Sequence, residues 1–494
     1  MKHKIPDQVR DFLAQPTRMF IGGDFVEATN GATIKSYNPA TGKVLTEIPD
    51  ASASDVDAAV SAAAEAFAGP WRTTPPAERA ELLWRLAMLI EQNADMLATL
   101  ETLDNGKPLE YAKRDDIPSA VAVLKYFSGW ATKIHGDVVP QSAGADFVNI
   151  VHREPRGVVA AIVPWNYPLV MAVAKISPAL ATGNTVVLKP AEQTSLSALF
   201  LARLAREAGF PSGVFNVITG VGEGAGRALS SHSGIGLVTF TGSTSVGKEI
   251  MRNSAERTAP VILELGGKSP NIIFEDADLD AAIEGASNAI FYNMGQDCSA
   301  GSRLLVHESI ADAVVDGLTR HASARRIGDG MLSGVDQGPL VSSEQRDRVL
   351  GYIRRGVADG AELATGGGEF EAESGGYFVQ PTVIVGAPSQ SSVVREEIFG
   401  PVLVVQTFSS DEEALHIGND TPYGLGAGVW TSNVSRALRM SRDLRAGTVW
   451  INCYNVNDAA SPFGGYKASG FGKDFGRQSL ESYVQNKSVW FAMT

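Results

Sequence analysis

The chain has two cysteines, Cys298 and Cys453, and they lie far apart. That rules out a disulfide framework, and such usage fits a reducing cytoplasm. Histidine is also scarce. His3, His135, His152, His232, His307, His321 and His416 show no metal-ligand spacing, so no metal centre is expected. None of them lies in a glycine-rich motif, so nothing favours a cysteine–histidine protease, although spacing alone leaves one open. No apolar run approaches the roughly 18 residues of a membrane helix. The opening MKHKIPDQVRDFLAQP has no apolar core and does not read as a secretory signal. Basic clusters are missing too: 42 Lys and Arg face 55 Asp and Glu, a formal charge of -13. That balance argues against a nucleic-acid partner and favours solubility. There is no repeat and no low-complexity tract.

Glycine, by contrast, is abundant at 51 residues, which implies many tight turns or close backbone approaches. The 494 residues suggest about three units at roughly 150 residues each, or two large α/β units. Residues 1 to about 17 read as a loosely held arm, followed by short strands in MFIGGDFVEA and TIKSYNPATGKVLTEIPD. Helices are expected over Ser52–Phe67, Pro75–Leu100 and Pro108–Lys133, where apolar residues recur at helical spacing. From Gly157 the pattern becomes a βαβ rhythm. The apolar runs GVVAAIV, NTVVLK, VFNVIT, GLVTFTG and VILELGG alternate with helical stretches near 170–180, 196–208, 223–229 and 245–253. This is the signature of a parallel sheet covered on both faces. A second α/β unit is expected after Glu264, with helices near 279–293, 309–320 and 411–417 and a strand at 403–408. The closing SYVQNKSVWFAMT alternates like a strand and needs a pairing partner, for which another subunit would serve.

Cys298 lies among small and polar residues in FYNMGQDCSAGSR, whereas Cys453 follows the apolar run of VWINCYNV and suits a packed position. A nucleophilic thiol requires a base and an oxyanion site. Glu264 ends the strand VILE and meets Leu265, Gly266 and Gly267. Strand ends of this kind are where open α/β sheets hold ligands, although an exposed strand-end glutamate would look the same. The glycine-rich GVGEGAG at 220–226 does not fit a dinucleotide fingerprint, because Ala225 stands where the third glycine should fall.

Seven stretches together resemble the aldehyde dehydrogenase superfamily over essentially the whole chain: PWNYP at 164–168, KPAEQTS at 189–195, FTGSTSVG at 240–247, ELGGKSP at 264–270, GQDCSAGSR at 295–303, EEIFGP at 396–401 and SPFGGYKASG at 461–470. NCY at 452–454 is similar to the branch containing general and retinal-type members. The resemblance implies NAD-dependent oxidation of an aldehyde to its acid through a thioester on Cys298. Asn166 and the Cys298 N–H would hold the oxyanion, Glu264 would be the general base, and Lys175 would support the network behind them.

For the cofactor, the resemblance implies pyrophosphate near Phe240, Gly242, Ser243 and the following helix start. Lys189 and Glu192 would contact the adenine ribose. A carboxylate there would repel the 2′-phosphate of NADP and favour NAD. Glu397 would hold the nicotinamide ribose, with Trp165, Leu265 and Phe399 nearby. Gly222 is an adenine-side candidate or simply a turn residue.

Tyr167 and Phe463 match aromatic channel positions. Ala174 and Asn457 stand where relatives carry aromatics, and Asp297 where many carry an uncharged residue. With Asp458 close to Asn457, the mouth would be wider and more acidic. That would admit an aminoaldehyde or betaine aldehyde alongside neutral aldehydes.

The implied fold is α/β with two open α/β domains and a small β oligomerisation unit. An NAD-binding domain would span 1–136 and 156–264, a catalytic domain 265–478, and oligomerisation segments 137–155 and 479–494. A homodimer or homotetramer is expected. Two rivals are a CoA-acylating semialdehyde dehydrogenase, which often lacks the Glu264 base, and a non-catalytic scaffold protein, which would not need the intact set Cys298, Asn166, Glu264 and Glu397.

Overall fold

The computed structural model describes residues 4–372 and 374–493. The first three residues of the expected arm and Thr494 of the expected closing strand lie outside the described residues. The arm itself is a correction. Asp7–Ala14 forms a helix that buries Val9 and Phe12, and Phe12 meets Phe200 edge-on at 5.8 Å. Two apolar residues three apart on one helical face are enough to fasten it.

Three apolar β-runs explain most of the first half. Val158–Ile162, Thr185–Lys189 and Phe215–Val217 run parallel, and Ile235–Thr241 and Val261–Glu264 extend the sheet on the opposite side of Val158–Ile162. Strand order therefore reverses between Val158–Ile162 and Ile235–Thr241. In such sheets the connections leave the two strand ends in opposite directions and open a crevice at the carboxyl edge. Met19–Ile21 and Asp24–Val26 close one edge of the sheet. Gly470–Phe471 closes the other, pairing with Leu263 and Glu264, so a strand from the 265–478 stretch joins this first sheet.

The second sheet has seven strands. Pro270–Ile273 and Arg303–His307 lie at its centre, flanked by Gly426–Trp430 on one side and Val402–Phe408 on the other. A third, three-stranded sheet pairs Val484–Ala492 with Phe147–Pro155 and, beyond that, Asp137–Val139. The closing strand thus finds its partner within its own chain.

Helix positions follow local chemistry. Ser52 caps Ala53–Ala68 with a capping box to Asp55, and Pro168 occupies the first turn of Pro168–Ala181. The expected helix over 75–100 is two helices, Pro76–Gln92 and Ala94–Asn105, because Asn93 leaves helical geometry and its side-chain amide donates back to Leu89 O at 2.8 Å. The expected helix over 108–133 starts as Leu109–Tyr111, widens to a π-turn at Ala112–Asp116 and resumes as Ile117–Ser128. Pro118 has no N–H to donate to the preceding turn, which accounts for the widening. Among the described residues no helix is long and apolar enough to cross a membrane.

Candidate active site

A cavity of about 650 Å³ opens between the two large sheets and holds Cys298, Glu264 and Asp474 in its lining. Cys298 sits in the loop between helix Leu279–Phe291 and strand Arg303–His307. The chain reaches it through three successive left-handed residues, Asn293, Met294 and Gly295. Gly295 admits no side chain, since a Cβ there would lie 2.1 Å from Gly400 O. Asp297 then fastens the loop. Its Oδ1 accepts from Ser299 N and Ser299 Oγ at 2.9 Å each, and its Oδ2 accepts from the Tyr167 hydroxyl at 2.9 Å. The Tyr454 hydroxyl donates to Ser299 O at 2.9 Å from the other side. Burial pushes the Cys298 thiol well above its ordinary range, and the charges of Asp297, Glu397 and Glu264 push it further. The resting group is therefore a thiol that must lose its proton to a base before it attacks.

Glu264 is held at the end of its strand and is shut off from bulk solvent. Its Oε2 accepts from Gly465 N at 3.3 Å, while Oε1 has no hydrogen-bond partner among the described residues. Gly464 makes the fit possible, because a Cβ there would lie 2.2 Å from Glu264 Oε1. Burial raises the Glu264 carboxyl well above its usual range, and Asp474 adds to this. A carboxylate raised in this way is a stronger base than a solvated one. Behind it, the Lys175 ammonium donates to both Asp474 oxygens at 2.9 and 2.8 Å, and both side chains are buried. Asp474 escaped the sequence reading because nothing in GKDFG marks it; only the fold brings it to Lys175.

Asn166 is buried in the turn that follows Val158–Ile162, and its amide donates to Gln296 O at 2.9 Å. One N–H is therefore committed two residues before the thiol, leaving the second for a ligand. Asn166 itself is not among the cavity-lining residues.

A dinucleotide would need ribose acceptors, a phosphate-facing helix start and a flat apolar wall. Glu397 is half-buried and accepts from Gly267 N at 2.9 Å, and desolvation lifts its carboxyl to about 7. Phe399, held at φ 62, meets Trp165 edge-on at 5.1 Å. Ser243 caps helix Thr244–Ala255, and the nearby Thr241 and Thr244 hydroxyls are shielded without a hydrogen-bond partner. Lys189 pairs with Glu192 at 3.7 Å. These groups fit a dinucleotide.

The remaining expected cofactor contacts have these surroundings. Phe240 packs in the core with its ring against Gly242. Gly222 is exposed and starts the π-turn Gly222–Gly226. Leu265 lines the cavity.

The mouth holds one of the two acids expected there. Tyr167, Asp297, Asn457 and Phe463 line the cavity. Ala174 does not, because it is fully buried inside its helix and the lining from that helix comes from Val170 and Met171. Asp458 is exposed, outside the lining, and accepts from Ala460 N at 2.7 Å in a surface turn. Cys453 is half-buried and also outside the lining. Tyr111, Tyr292 and Arg325, unmarked by any motif, contribute to the wall.

Comparison with known proteins decides the class. Residues 25–489 match the model of the aldehyde dehydrogenase family. The chain belongs to the aldehyde dehydrogenase family. It is 48% identical over 476 residues to an aldehyde dehydrogenase of Alternaria alternata, covering 96% of this chain and 95% of that one. It is 47% identical over 488 residues to phenylacetaldehyde dehydrogenase of Pseudomonas fluorescens, covering 98% and 97%. A solved NAD+ complex of aldehyde dehydrogenase from Bacillus cereus superposes with a TM-score of 0.98 at 50% identity, covering all of both chains. The α/β architecture described above is thus the aldehyde dehydrogenase fold, and the chain is an oxidoreductase that converts aldehydes to acids.

Proposed function

We propose that this aldehyde dehydrogenase is NAD-dependent and works through a thioester on Cys298, which water then hydrolyses. The observation that carries this is the placement of the Cys298 thiol and the Glu264 carboxyl in one cavity. Glu264 takes the thiol proton, and the thiolate attacks the aldehyde carbon. The second N–H of Asn166 and the Cys298 N–H stabilise the oxyanion as it forms. Bound NAD supplies the hydride acceptor, and loss of hydride from the thiohemiacetal leaves the thioester. Glu264 releases the thiol proton to solvent while the thioester stands, then takes a proton from the water that attacks the thioester carbon; the C–S bond breaks, the acid leaves, and the Cys298 thiolate recovers that proton from Glu264. Lys175 and Asp474 hold the base in its buried setting.

For the cofactor, Glu397 takes the nicotinamide ribose, Lys189 and Glu192 the adenine ribose, and Ser243 with its helix start the pyrophosphate. Trp165 and Phe399 wall the ring. The first sheet with its helices, 1–136 and 156–264, carries NAD. Residues 265–478 carry Cys298, and 137–155 with 479–494 make subunit contacts in a cytoplasmic homodimer or homotetramer. The aromatic wall of Tyr167, Phe463 and Tyr454 suits an aromatic or apolar aldehyde, in keeping with the phenylacetaldehyde-oxidising relative. Retention of Glu264 favours hydrolysis over transfer to CoA.

The test is NADH formation on mixing the enzyme with NAD and phenylacetaldehyde, with NADP and CoA as separate controls. Turnover with NAD that needs no CoA is expected. A strict requirement for CoA would sink the hydrolytic reading.

A further inference from the structure

The charges around the cavity do not cancel evenly along its length. Asp115 accepts from Arg114 at 2.8 and 2.7 Å and from the Tyr292 hydroxyl at 2.8 Å. Asp116 pairs with buried Lys107, and Asp474 pairs with Lys175. Those three lining acids are neutralised where they stand. At the inner end, Asp297 is met by the neutral donors of Ser299 and Tyr167 and has no cationic partner among the described residues.

Arg325 is the counterpart on the opposite flank. It follows helix Ala311–Ala324, is half-buried and lines the cavity. No carboxylate among the described residues lies within ion-pairing distance of it. Asp336, whose field it feels, is bound instead to Arg326. One Nη donates to Phe291 O at 3.3 Å, and the guanidinium lies over the Phe291 ring at 5.6 Å. Its Nε is closed off from solvent and has no hydrogen-bond partner among the described residues. A guanidinium carries five N–H donors in a planar fork that matches a carboxylate. Here one donor makes a long bond and the rest of the fork has no protein acceptor among the described residues.

The neighbouring wall is aromatic. Tyr111 and Tyr292 stack at 5.6 Å with their planes 22° apart, and both line the cavity. Arg114, over the Tyr111 ring, has a side chain 64% exposed, which marks this flank as the solvent end. Among the described residues, the thiol end of the cavity thus keeps a carboxylate, and the solvent end a guanidinium, without an ion-pair partner. A substrate that is neutral at the formyl group and anionic at its far end fits that polarity, and a cationic tail opposes it.

We propose that Arg325 is an anion-recognition point at the outer end of the cavity, and that the preferred substrates are aldehydes bearing a carboxylate at the end remote from the formyl group. The inference rests on the aldehyde oxidation proposed above and names its substrate class.

The experiment compares kcat/KM, with NAD, for matched aldehydes: benzaldehyde against para-formylbenzoate, and hexanal against the same chain ending in a carboxylate. The para-trimethylammonio benzaldehyde serves as the cationic member. Wild type is expected to favour the carboxylated member of each pair by about 10-fold or more, as a charge-assisted fork contact implies, and to disfavour the cation. Arg325→Gln is expected to lower the carboxylated-to-neutral ratio by about 10-fold, with Arg325→Lys in between. A wild-type ratio at or below one overturns the proposal, and so does a ratio that Arg325→Gln leaves unmoved. The wild-type comparison needs no variant, so misfolding of a substituted chain does not shield the idea. Turnover of neutral aldehydes with no carboxylate preference overturns this inference alone, whereas no turnover of any aldehyde overturns the functional reading beneath it.

Discussion

At the scale of single residues, the thiol and the acids around it set the pH behaviour. Cys298 is held protonated by burial and by three nearby carboxyls, so its attack depends on a base. Cys298→Ala should abolish NADH formation while leaving NAD binding, read by protein fluorescence, in place; surviving turnover would remove the thioester from the mechanism. Asn166→Ala should lower kcat by about 100- to 1,000-fold if its free N–H meets the oxyanion, and a KM effect with kcat unchanged would instead make it a ground-state contact. Glu397, lifted to about 7 by burial, is largely protonated below neutrality in the free enzyme. If the carboxylate form holds the ribose hydroxyls, NAD affinity should rise as pH climbs to about 7 and level off above it, and Glu397→Gln should flatten that profile. Isothermal titration across pH checks this, and an affinity that falls with rising pH would exclude the role. These three residues stand in motifs that the bare sequence displays. Asp297 was equally visible, but its meaning was not. Its charge suggested a cationic substrate, whereas its oxygens hold Ser299 and Tyr167. Arg325 has no motif at all, and only the cavity gives it a reason.

At the scale of elements, the buried Lys175–Asp474 pair joins helix Pro168–Ala181 to the segment that follows Gly470–Phe471. Both ends are out of solvent, so removing one leaves an unpaired buried charge. Asp474→Asn should cost about 3–5 kcal/mol of stability, and adding Lys175→Met should restore much of it. Urea unfolding of the single and double variants measures this, and a single variant as stable as wild type would mean that the pair is hydrated in solution. The same change removes a charge that raises Glu264, so the acidic limb of the pH–rate profile should move to lower pH. The pair is invisible in sequence because its members are remote along the chain. Helices with long apolar faces were legible nearly to the residue, as in Leu196–Ala208. The breaks at Asn93 and before Pro118 were not, because a side-chain bond to a carbonyl and a missing N–H act below the resolution of hydrophobic period. Helix Ser343–Ala358 carries a charged residue at most of its turns and buries a short face of Val349, Leu350, Tyr352 and Ile353, so its period is faint.

At the scale of the whole molecule, the parallel sheet announced itself because strands covered on both faces read as continuous apolar runs. The sheet of Asp137–Val139, Phe147–Pro155 and Val484–Ala492 obeys a different rule. It stands away from both large cores and leaves apolar side chains in water, with Val138 71%, Trp490 52% and Phe491 46% exposed. Its outer strands also present unpaired backbone edges. Exposed apolar surface beside an open edge is costly for an isolated chain and is stabilised when another surface covers it. A second copy of the chain, as proposed above, would provide that cover without a further partner. Trp490→Glu places a charge in the patch while leaving the backbone pairing of Trp490 with Asn149 intact. Light scattering should then show a lower mass for the variant than for wild type at the same concentration, with far-ultraviolet circular dichroism unchanged. The thermal midpoint of wild type should rise with protein concentration, and that of the variant should not, because mass action stabilises only the associating form. A wild type that is monomeric at every concentration would separate this sheet from assembly. An oligomer indifferent to Trp490→Glu would move the interface to another face.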